Sequence, residues 1–245
     1  MRILILSGTG EARALAAALA DRPDLQAVSS LAGRVSNPAL PVGEVRIGGF
    51  GGVDGLVDYV RGERIDAVVD ATHPFAETMT RNAASAAAIV GLPLVILRRP
   101  PWTPDASWVR VPDIGEAARH VAATPAGVVF LTTGRRDLSA FAGDVTHHFL
   151  VRAVEPPEGE RPQQLTLLLD RGPFRLEGEL RLFREYAVSL LVTKDSGGEM
   201  TVAKLAAARE LGVPVVVVDR PALPPGPPVR STVDGVLDWL AQLAG

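Results

Sequence analysis

A glycine-rich loop follows the first apolar run of the sequence. The run Ile3–Leu6 is typical of a buried strand. The loop after it contains Gly8, Thr9, Gly10 and Glu11. Backbone N–H groups in such a loop, together with the N-terminus of the next helix, can hold a phosphate. Arg13 stands where the dinucleotide fingerprint has its third glycine. The loop predicts a phosphate site of this general type, with a tight strand-to-helix turn as the alternative.

A second loop bears on the choice between nicotinamide cofactors. NAD-binding domains carry an acidic residue about 20 residues past the glycines, where it binds the ribose diol. Here the corresponding residues are Ser29, Ser30, Gly33 and Arg34, and none is acidic. A guanidinium can bind a 2′-phosphate through paired hydrogen bonds, to which hydroxyls can add. The loop favours NADP(H) over NAD(H), with a surface arginine as the alternative reading of Arg34.

A third loop follows the apolar run Ala67–Val69. Its notable residues are Asp70, Thr72, His73, Pro74 and Phe75. If the strand order is 3-2-1-4-5, this loop faces the first one at the switch point, where open parallel sheets bind ligands. We expect Thr72 to contact the nicotinamide half of a cofactor. His73 is either a donor to a ligand or proton path, or a turn histidine bonded to its own loop. Pro74 suits the first position of the following helix.

Two loops in the second half have the composition of anion sites, since they combine hydroxyls, glycines and cations. The first contains Thr133, Gly134, Arg135 and Arg136, and the second contains Lys194, Asp195, Ser196, Gly197 and Gly198. Of the 25 basic residues only Lys194 and Lys204 are lysines. Lysine differs from arginine in geometry and in how readily its pKa shifts, so a retained lysine is a candidate for a specific role. The alternative for the two arginines is a solvated helix start, and the alternative for Lys194 and Asp195 is a surface salt bridge.

The elements that must position these loops alternate between strand and helix patterns. The strand candidates are Ile3–Leu6, Leu25–Ser29, Glu44–Ile47, Ala67–Val69, Leu94–Leu97, Val128–Leu131, Phe149–Val151, Leu165–Leu169, Leu190–Val192 and Val215–Val218. Helical patterns separate most of them, including a long one from about Phe75 to Val90. Such alternation predicts an α/β protein with parallel sheets and right-handed crossovers.

Prolines at 100, 101 and 104 interrupt this alternation. We therefore predict two Rossmann-like domains, each a parallel sheet flanked by helices, with the active site in the cleft between them. Residues 1–100 form the predicted cofactor-binding domain, and residues 101–245 form the predicted substrate-binding domain.

Composition excludes several classes of protein. Hydrophobic residues make up 47% of the chain and charged residues 22%, which is typical of a globular protein. The net charge of −3 gives no general basic surface for nucleic acid. Without cysteine there is no disulfide or thiolate site, and the four histidines have no metal-ligand spacing, so we expect no metal. We see neither a signal peptide nor a membrane span, and we predict a cytoplasmic protein.

Taken together, the loops resemble the precorrin-6A reductases of cobalamin (vitamin B12) biosynthesis. The segments that carry the resemblance are Gly8–Glu11, Ser30–Arg34, Gly48–Gly52, Asp70–Ala76, Thr133–Arg135, Arg171–Phe174 and Thr193–Gly198. They follow one another across almost the whole chain. One departure is Ser7, where such proteins usually have a glycine.

The resemblance implies an NADPH-dependent oxidoreductase that reduces one ring double bond of precorrin-6A to give precorrin-6B. The carboxylates of this tetrapyrrole would meet the cations and N–H donors of the second-domain loops, with Phe75 as a further contact. Water, His73, Lys194 or Asp195 would supply the proton. Neighbouring enzymes of the pathway are possible partners. The alternatives are a cobalt-precorrin-6A reductase of the anaerobic pathway and a non-catalytic, two-lobed tetrapyrrole-binding protein.

Overall fold

The computed structural model describes residues 1–33 and 39–244. The strands are β1 (Arg2–Leu6), β2 (Gln26–Leu31), β3 (Glu44–Ile47), β4 (Ala67–Asp70), β5 (Leu94–Leu97), β6 (Trp108–Val111), β7 (Val128–Leu131), β8 (His148–Ala153), β9 (Leu165–Leu169), β10 (Val188–Lys194), β11 (Val215–Val218) and β12 (Val229–Arg230). The helices are α1 (Gly10–Ala20), α2 (Val53–Gly62), α3 (Glu77–Val90), α4 (Ile114–Ala122), α5 (Leu176–Glu185), α6 (Ala203–Leu211) and α7 (Val233–Ala244). The chain divides into two compact units, one of Met1–Pro100 with the chain from Pro221 onward, and one of Pro101–Arg220.

The first unit is a parallel sheet covered by helices on both faces. Its strand order is β12-β5-β4-β1-β2-β3, which contains the 3-2-1-4-5 order that the sequence argument assumed. Successive residues of β1 point to opposite faces, as the pleat requires. Ile3 and Ile5 pack with buried residues of α1 and α7, whereas Leu4 and Leu6 pack with buried residues of α2 and α3. A strand buried on both faces explains the continuous apolar run.

The second unit contains another parallel sheet, with the strand order β6-β11-β10-β7-β8-β9. On one face, Phe130 of β7 and Leu191 of β10 pack with Phe183 of α5 and Leu205 of α6. The rings of Phe130 and Phe183 meet edge to face, with their centroids 5.6 Å apart. The predicted fold class, two parallel sheets flanked by helices, is therefore confirmed.

The C-terminal segment corrects the predicted extent of the second domain. From Pro221 onward the chain belongs to the first unit rather than to a domain of residues 101–245. Strand β12 pairs in parallel with β5 at the edge of the first sheet. Val236, Trp239 and Leu240 of α7 join the core cluster around Ile3 and Ile5. A two-residue strand gives no periodic signal, and the apolar stripe of a helix does not reveal which sheet it covers.

Within the described ranges, no helix is both long enough and apolar enough to cross a membrane. Helix α3 has 14 residues, fewer than the roughly 20 that a spanning helix needs.

Candidate functional site

The first loop leaves its backbone open beside β1. Gly8 has a φ of +140°, and no neighbouring atom lies within 4 Å of the position where a Cβ would stand. The loop leads directly into α1, which begins at Gly10. Open backbone beside a helix N-terminus suits a phosphate group, because the terminal N–H groups and the helix dipole favour an anion.

Thr9 holds this loop in place. Its side chain caps α1 by accepting a hydrogen bond from the N–H of Ala12 at 3.1 Å. Its hydroxyl donates to the carbonyl oxygen of Ala71, in the loop after β4, at 2.8 Å. Both bonds are buried, so the Thr9 side chain ties two loops together rather than offering its hydroxyl to a ligand.

Two buried serine hydroxyls lie on neighbouring strands, one just after β1 and one within β2. Ser7 follows β1 and Ser29 lies in β2, and they are 8% and 1% exposed. Neither Oγ has a hydrogen-bond partner among the described residues. The N–H of Ser7 donates to the carbonyl oxygen of Ser30 at 2.9 Å, which holds the strand ends together. Because buried hydroxyls normally have partners, these two fit a polar ligand at this edge of the sheet.

Arg34, the predicted ligand of a 2′-phosphate, lies outside the described residues. The preceding Gly33 has a φ of +68°, which favours glycine. A second cation at this edge, Arg46 of β3, was missed from the sequence because an arginine inside a short strand matches no motif. Its guanidinium donates to Ser30 Oγ at 3.2 Å and to the carbonyl oxygens of Gly48 and Gly49 at 2.5 and 2.8 Å.

Arg46 also lies over aromatic rings. Its guanidinium carbon is 4.0 Å from the ring centroid of Phe50 and 5.0 Å from that of Tyr59. The hydrogen bonds and ring contacts fix the loop after β3 against the end of β2. Arg46 therefore supports the loop that starts at Gly48, and most of its donors are already used.

Glu11 was predicted to contact the cofactor, but it forms an ion pair within the first unit. Its Oε2 lies 2.8 Å from Nη1 of Arg99, and the two side chains are 30% and 17% exposed. The pair joins the first turn of α1 to the segment after β5. Glu11 thus helps to hold the helix that carries the phosphate-type loop.

The loop after β4 satisfies much of its own hydrogen bonding. Asp70 is 2% exposed, and its Oδ1 accepts from the N–H and the hydroxyl of Thr72 at 3.0 and 2.6 Å. Asp70 Oδ2 is buried without a partner among the described residues. The hydroxyl proton of Thr72 is therefore committed to Asp70, which leaves its oxygen as an acceptor.

His73 is exposed and forms the turn that the sequence left as one alternative. Its Nδ1 accepts from the N–H of Phe75 at 3.2 Å, which places the ring proton on Nε2. Pro74 does not start the next helix as predicted. Helix α3 begins at Glu77, with Ala76 as its N-cap, so Pro74 lies in the preceding turn.

The loop after β7 combines a buried hydroxyl with an exposed cation. Thr133 is 7% exposed, and its Oγ1 has no partner among the described residues. Gly134 has a φ of +95°. Arg135 pairs with Glu155 at 3.1 Å, whereas Arg136 is exposed. Of the two predicted arginines, Arg136 is therefore the more available to a ligand.

Lys194, the last residue of β10, forms an ion pair with the loop after β7. Its Nζ lies 2.6 Å from Oδ2 of Asp137, and the side chains are 20% and 16% exposed. The pair brings the two predicted anion loops together, because β10 and β7 are neighbours in the sheet. Past Lys194, Gly197 and Gly198 have φ values of +65° and +78°.

Asp195 was predicted as a catalytic and substrate-binding residue, but its surroundings argue for a structural role. It is 2% exposed. Its Oδ1 accepts from the backbone N–H of Trp102 at 3.2 Å, and its Oδ2 accepts from Arg110 at 3.2 Å. A carboxylate enclosed by these donors holds the loop and is poorly placed to deliver a proton.

Comparison with known proteins bears on all of these loops at once. The family described as precorrin-6x reductase CbiJ/CobK matches residues 2–241. A precorrin-6A reductase of Rhodococcus erythropolis is 54% identical over 244 residues, which cover 99% of this chain and 98% of that protein. A cobalt-precorrin-6A reductase of Priestia megaterium is 32% identical and covers 98% of each chain. The solved structure of a CobK precorrin-6A reductase matches with a TM-score of 0.91 and 43% identity, over 100% of this chain and 98% of that one.

Proposed function

The chain belongs to the precorrin-6x reductase CbiJ/CobK family, and from this premise we propose that it reduces one ring double bond of precorrin-6A to give precorrin-6B, with NADPH as the hydride donor. The observation that carries the proposal is the family match, which extends from residue 2 to residue 241. The sheet order and the glycine loop of the first unit agree with it, because both are features of dinucleotide-binding folds.

The cobalt-free macrocycle is the preferred substrate. The relative named for precorrin-6A is 54% identical to this chain, and the relative named for the cobalt-bearing compound is 32% identical. Both relatives match almost the whole chain, so the higher sequence identity of the first supports the metal-free substrate.

The first unit offers a set of residues that fits NADPH. Bound NADPH would supply the hydride. Open backbone at Gly8 and the α1 N-terminus at Gly10 suit its phosphates. The buried hydroxyls of Ser7 and Ser29, which have no partner among the described residues, are proposed to bond its polar groups. Arg34 is proposed to bind the 2′-phosphate, because the sequence around it lacks the acidic residue that an NAD ribose site uses.

The carboxylates of the substrate are assigned to the loops after β7 and β10. The Thr133 hydroxyl and the Gly134 backbone can donate to a carboxylate, and Arg136 adds an exposed charge. Lys194 can exchange its bond to Asp137 for one to the substrate, since the pair is partly exposed. Ser196 and the glycines after it complete the loop. These groups would hold the ring system in one orientation, and orientation supplies much of the rate enhancement.

The proton that follows the hydride has three sources in this proposal. Water and Lys194 are two of them. The third is exposed His73, which would deliver a proton as the imidazolium, once its Nδ1 has released the N–H of Phe75 and become protonated. Asp195 is omitted because its carboxylate is enclosed by Trp102 and Arg110.

The proposal is tested by incubating the purified protein with precorrin-6A and NADPH. We expect loss of the nicotinamide absorbance band and a product heavier by two hydrogens. NADPH deuterated at C4 should transfer one deuterium to the macrocycle. Binding of precorrin-6A without oxidation of NADPH would overturn the proposal and favour a tetrapyrrole-binding protein. Equal turnover of cobalt-precorrin-6A would overturn the substrate preference alone.

A matched pair of arginine variants tests the substrate loops. Arg136→Ala should raise the KM for precorrin-6A by about threefold, because an ion pair of an exposed arginine is lost and such pairs contribute at most about 1 kcal/mol. Arg184→Ala removes another exposed arginine, from the last turn of α5, and should leave KM unchanged. If both variants behave alike, Arg136 does not contact the substrate.

A further inference from the structure

Lys204, the second lysine of the chain, is buried. It lies in the first turn of α6 and is 3% exposed. Its Nζ donates to the carbonyl oxygen of Thr201 at 2.7 Å and lies 4.7 Å from the ring centroid of Trp102. Lysines are almost never fully buried without a pairing partner. The contacts of this one are a carbonyl oxygen and the face of an indole ring.

Trp102 connects Lys204 to the loop after β10. It is 6% exposed. Its backbone N–H donates to Asp195, and its indole N–H donates to the carbonyl oxygen of Gly198 at 3.0 Å. Trp102 thus bonds both ends of the Asp195–Gly198 loop, one through its backbone and the other through its side chain. The position of the indole therefore controls the position of the loop.

The charged groups that face Lys204 are Arg152 of β8 and Glu179 of α5. Arg152 and Glu179 form a buried pair with N–O distances of 2.6 and 3.0 Å, and Arg152 also lies 3.6 Å from the ring centroid of Phe174. Because Glu179 is engaged by Arg152, the three groups together carry one net positive charge when Lys204 is protonated. Trp102 and Thr201, the other contacts of Lys204, contribute no ionisable group.

We propose that the Lys204 ammonium is a positioning group, which holds the indole of Trp102 and through it keeps the Asp195–Gly198 loop in the form that receives the substrate. The part that concerns substrate rests on the proposed function. The positioning itself concerns only contacts within the second unit. A cation over an indole face is attracted by the ring, and the attraction is stronger where water is excluded.

This role makes the loop sensitive to pH. Burial, and then the positive charge of Arg152, lower the pKa of Lys204 from 10.5 to about 7, against the opposing effect of Glu179. Below that pH the ammonium attracts the indole, and above it the neutral amine loses the cation–π attraction. The same argument explains why position 204 has a lysine rather than an arginine. An arginine stays charged at every physiological pH and could not release the ring.

The first test needs no substrate. In ¹⁵N-labelled protein, the indole N–H resonance of Trp102, assigned with Trp102→Phe, should shift with a midpoint near pH 7. Lys204→Met should abolish the titration, and Lys204→Arg should hold the low-pH position throughout. Arg209→Met removes an exposed cation from the same helix and should titrate like the wild type. A wild-type resonance that does not move between about pH 5.5 and 9, or one that still titrates in Lys204→Met, overturns the proposal.

The second test uses turnover. In the wild type and in Arg209→Met, the KM for precorrin-6A should rise about fivefold as the pH is raised through the midpoint, with kcat little changed. In Lys204→Arg the KM should stay low across the range. A pH-independent KM in the wild type overturns the coupling to substrate. If the indole titrates but NADPH is never oxidised, the proposed function fails and the positioning role stands.

Discussion

Replacing Arg34 and Arg46 separately distinguishes a phosphate ligand from a loop support. Arg34 is proposed to contact the 2′-phosphate of NADPH, whereas Arg46 bonds Ser30, Gly48 and Gly49. Arg34→Ala should therefore weaken the binding of NADPH and leave the affinity for NADH nearly unchanged, because only NADPH carries the 2′-phosphate. Arg46→Met should weaken the binding of both cofactors by the same factor, because Ser30 and the loop that starts at Gly48 lose a common support.

The energy of a charge-assisted hydrogen bond gives the size of the first effect, and the contacts of Arg46 give the size of the second. A charge-assisted hydrogen bond contributes about 1.5–3 kcal/mol, so Arg34→Ala should reduce NADPH affinity by about tenfold to 150-fold. Arg46→Met removes three hydrogen bonds and a guanidinium 4.0 Å from the ring centroid of Phe50. Since Arg46 is half-buried, we expect a loss of about 1–3 kcal/mol in unfolding free energy and of about tenfold in affinity for both cofactors.

The assay is equilibrium binding of NADPH and NADH by calorimetry at one ionic strength, with unfolding by denaturant measured in parallel. Arg61→Met, which removes an exposed arginine from the last turn of α2, is the matched control and should change neither quantity. An equal loss of both cofactors in Arg34→Ala would show that Arg34 supports the fold. A loss confined to NADPH in Arg46→Met would make Arg46 the phosphate ligand instead.

Three further predictions concern the second unit. Lys194→Ala should raise the KM for precorrin-6A without changing the affinity for NADPH. Asp137→Asn should lower that KM, because it frees Lys194 from its carboxylate partner. Steady-state kinetics in which both variants match the wild type would contradict this prediction. Glu179→Gln should lower the free energy of unfolding by about 3–5 kcal/mol, since it leaves buried Arg152 unpaired. Adding Arg152→Met to this variant should restore the free energy of unfolding, as measured with denaturant. The folded-state pKa of Lys204, about 7, lies below its unfolded value of 10.5, so the unfolded chain binds more protons between these pH values. The stability of the wild type relative to Lys204→Met should therefore rise from about pH 7 to 10, by up to about 4 kcal/mol, and a flat difference would refute the burial of this charge.

Regular interior strands were predictable because burial on both faces requires continuous apolar runs. The interior strands Leu94–Leu97, Val128–Leu131 and Val215–Val218 have the predicted limits, and so do two edge strands, Glu44–Ile47 and Leu165–Leu169. The two strands that were missed, β6 and β12, lie at sheet edges. Strand β6 is partly exposed at Val109 and Arg110, which weakens its apolar pattern, and β12 has only two residues. Nothing in the sequence from Pro221 onward indicated that the chain returns to the first sheet.

The positions of the candidate loops were predictable, but their bonding was not. Parallel strands place the residues after them at one edge, so the apolar runs located the loops. Which cation meets which carboxylate depends on neighbours distant in sequence, as in the pairs of Glu11 with Arg99 and of Arg135 with Glu155. The same holds for Thr9, whose hydroxyl reaches Ala71 across 62 residues. Local sequence contains no record of such partners.

The two lysines of this arginine-rich chain enclose a single segment. Lys194 ends β10 and Lys204 lies in the first turn of α6, so the loop proposed to receive the substrate lies between them. Lys194 holds Asp137 through a single nitrogen at 2.6 Å, a bond that a substrate carboxylate can replace. An arginine fork would bind both oxygens of Asp137 and exchange less readily. At 204 a guanidinium would keep its charge at every working pH. In these two proposals each position uses a property that arginine lacks, exchangeable bonding at Lys194 and a pKa of about 7 at Lys204.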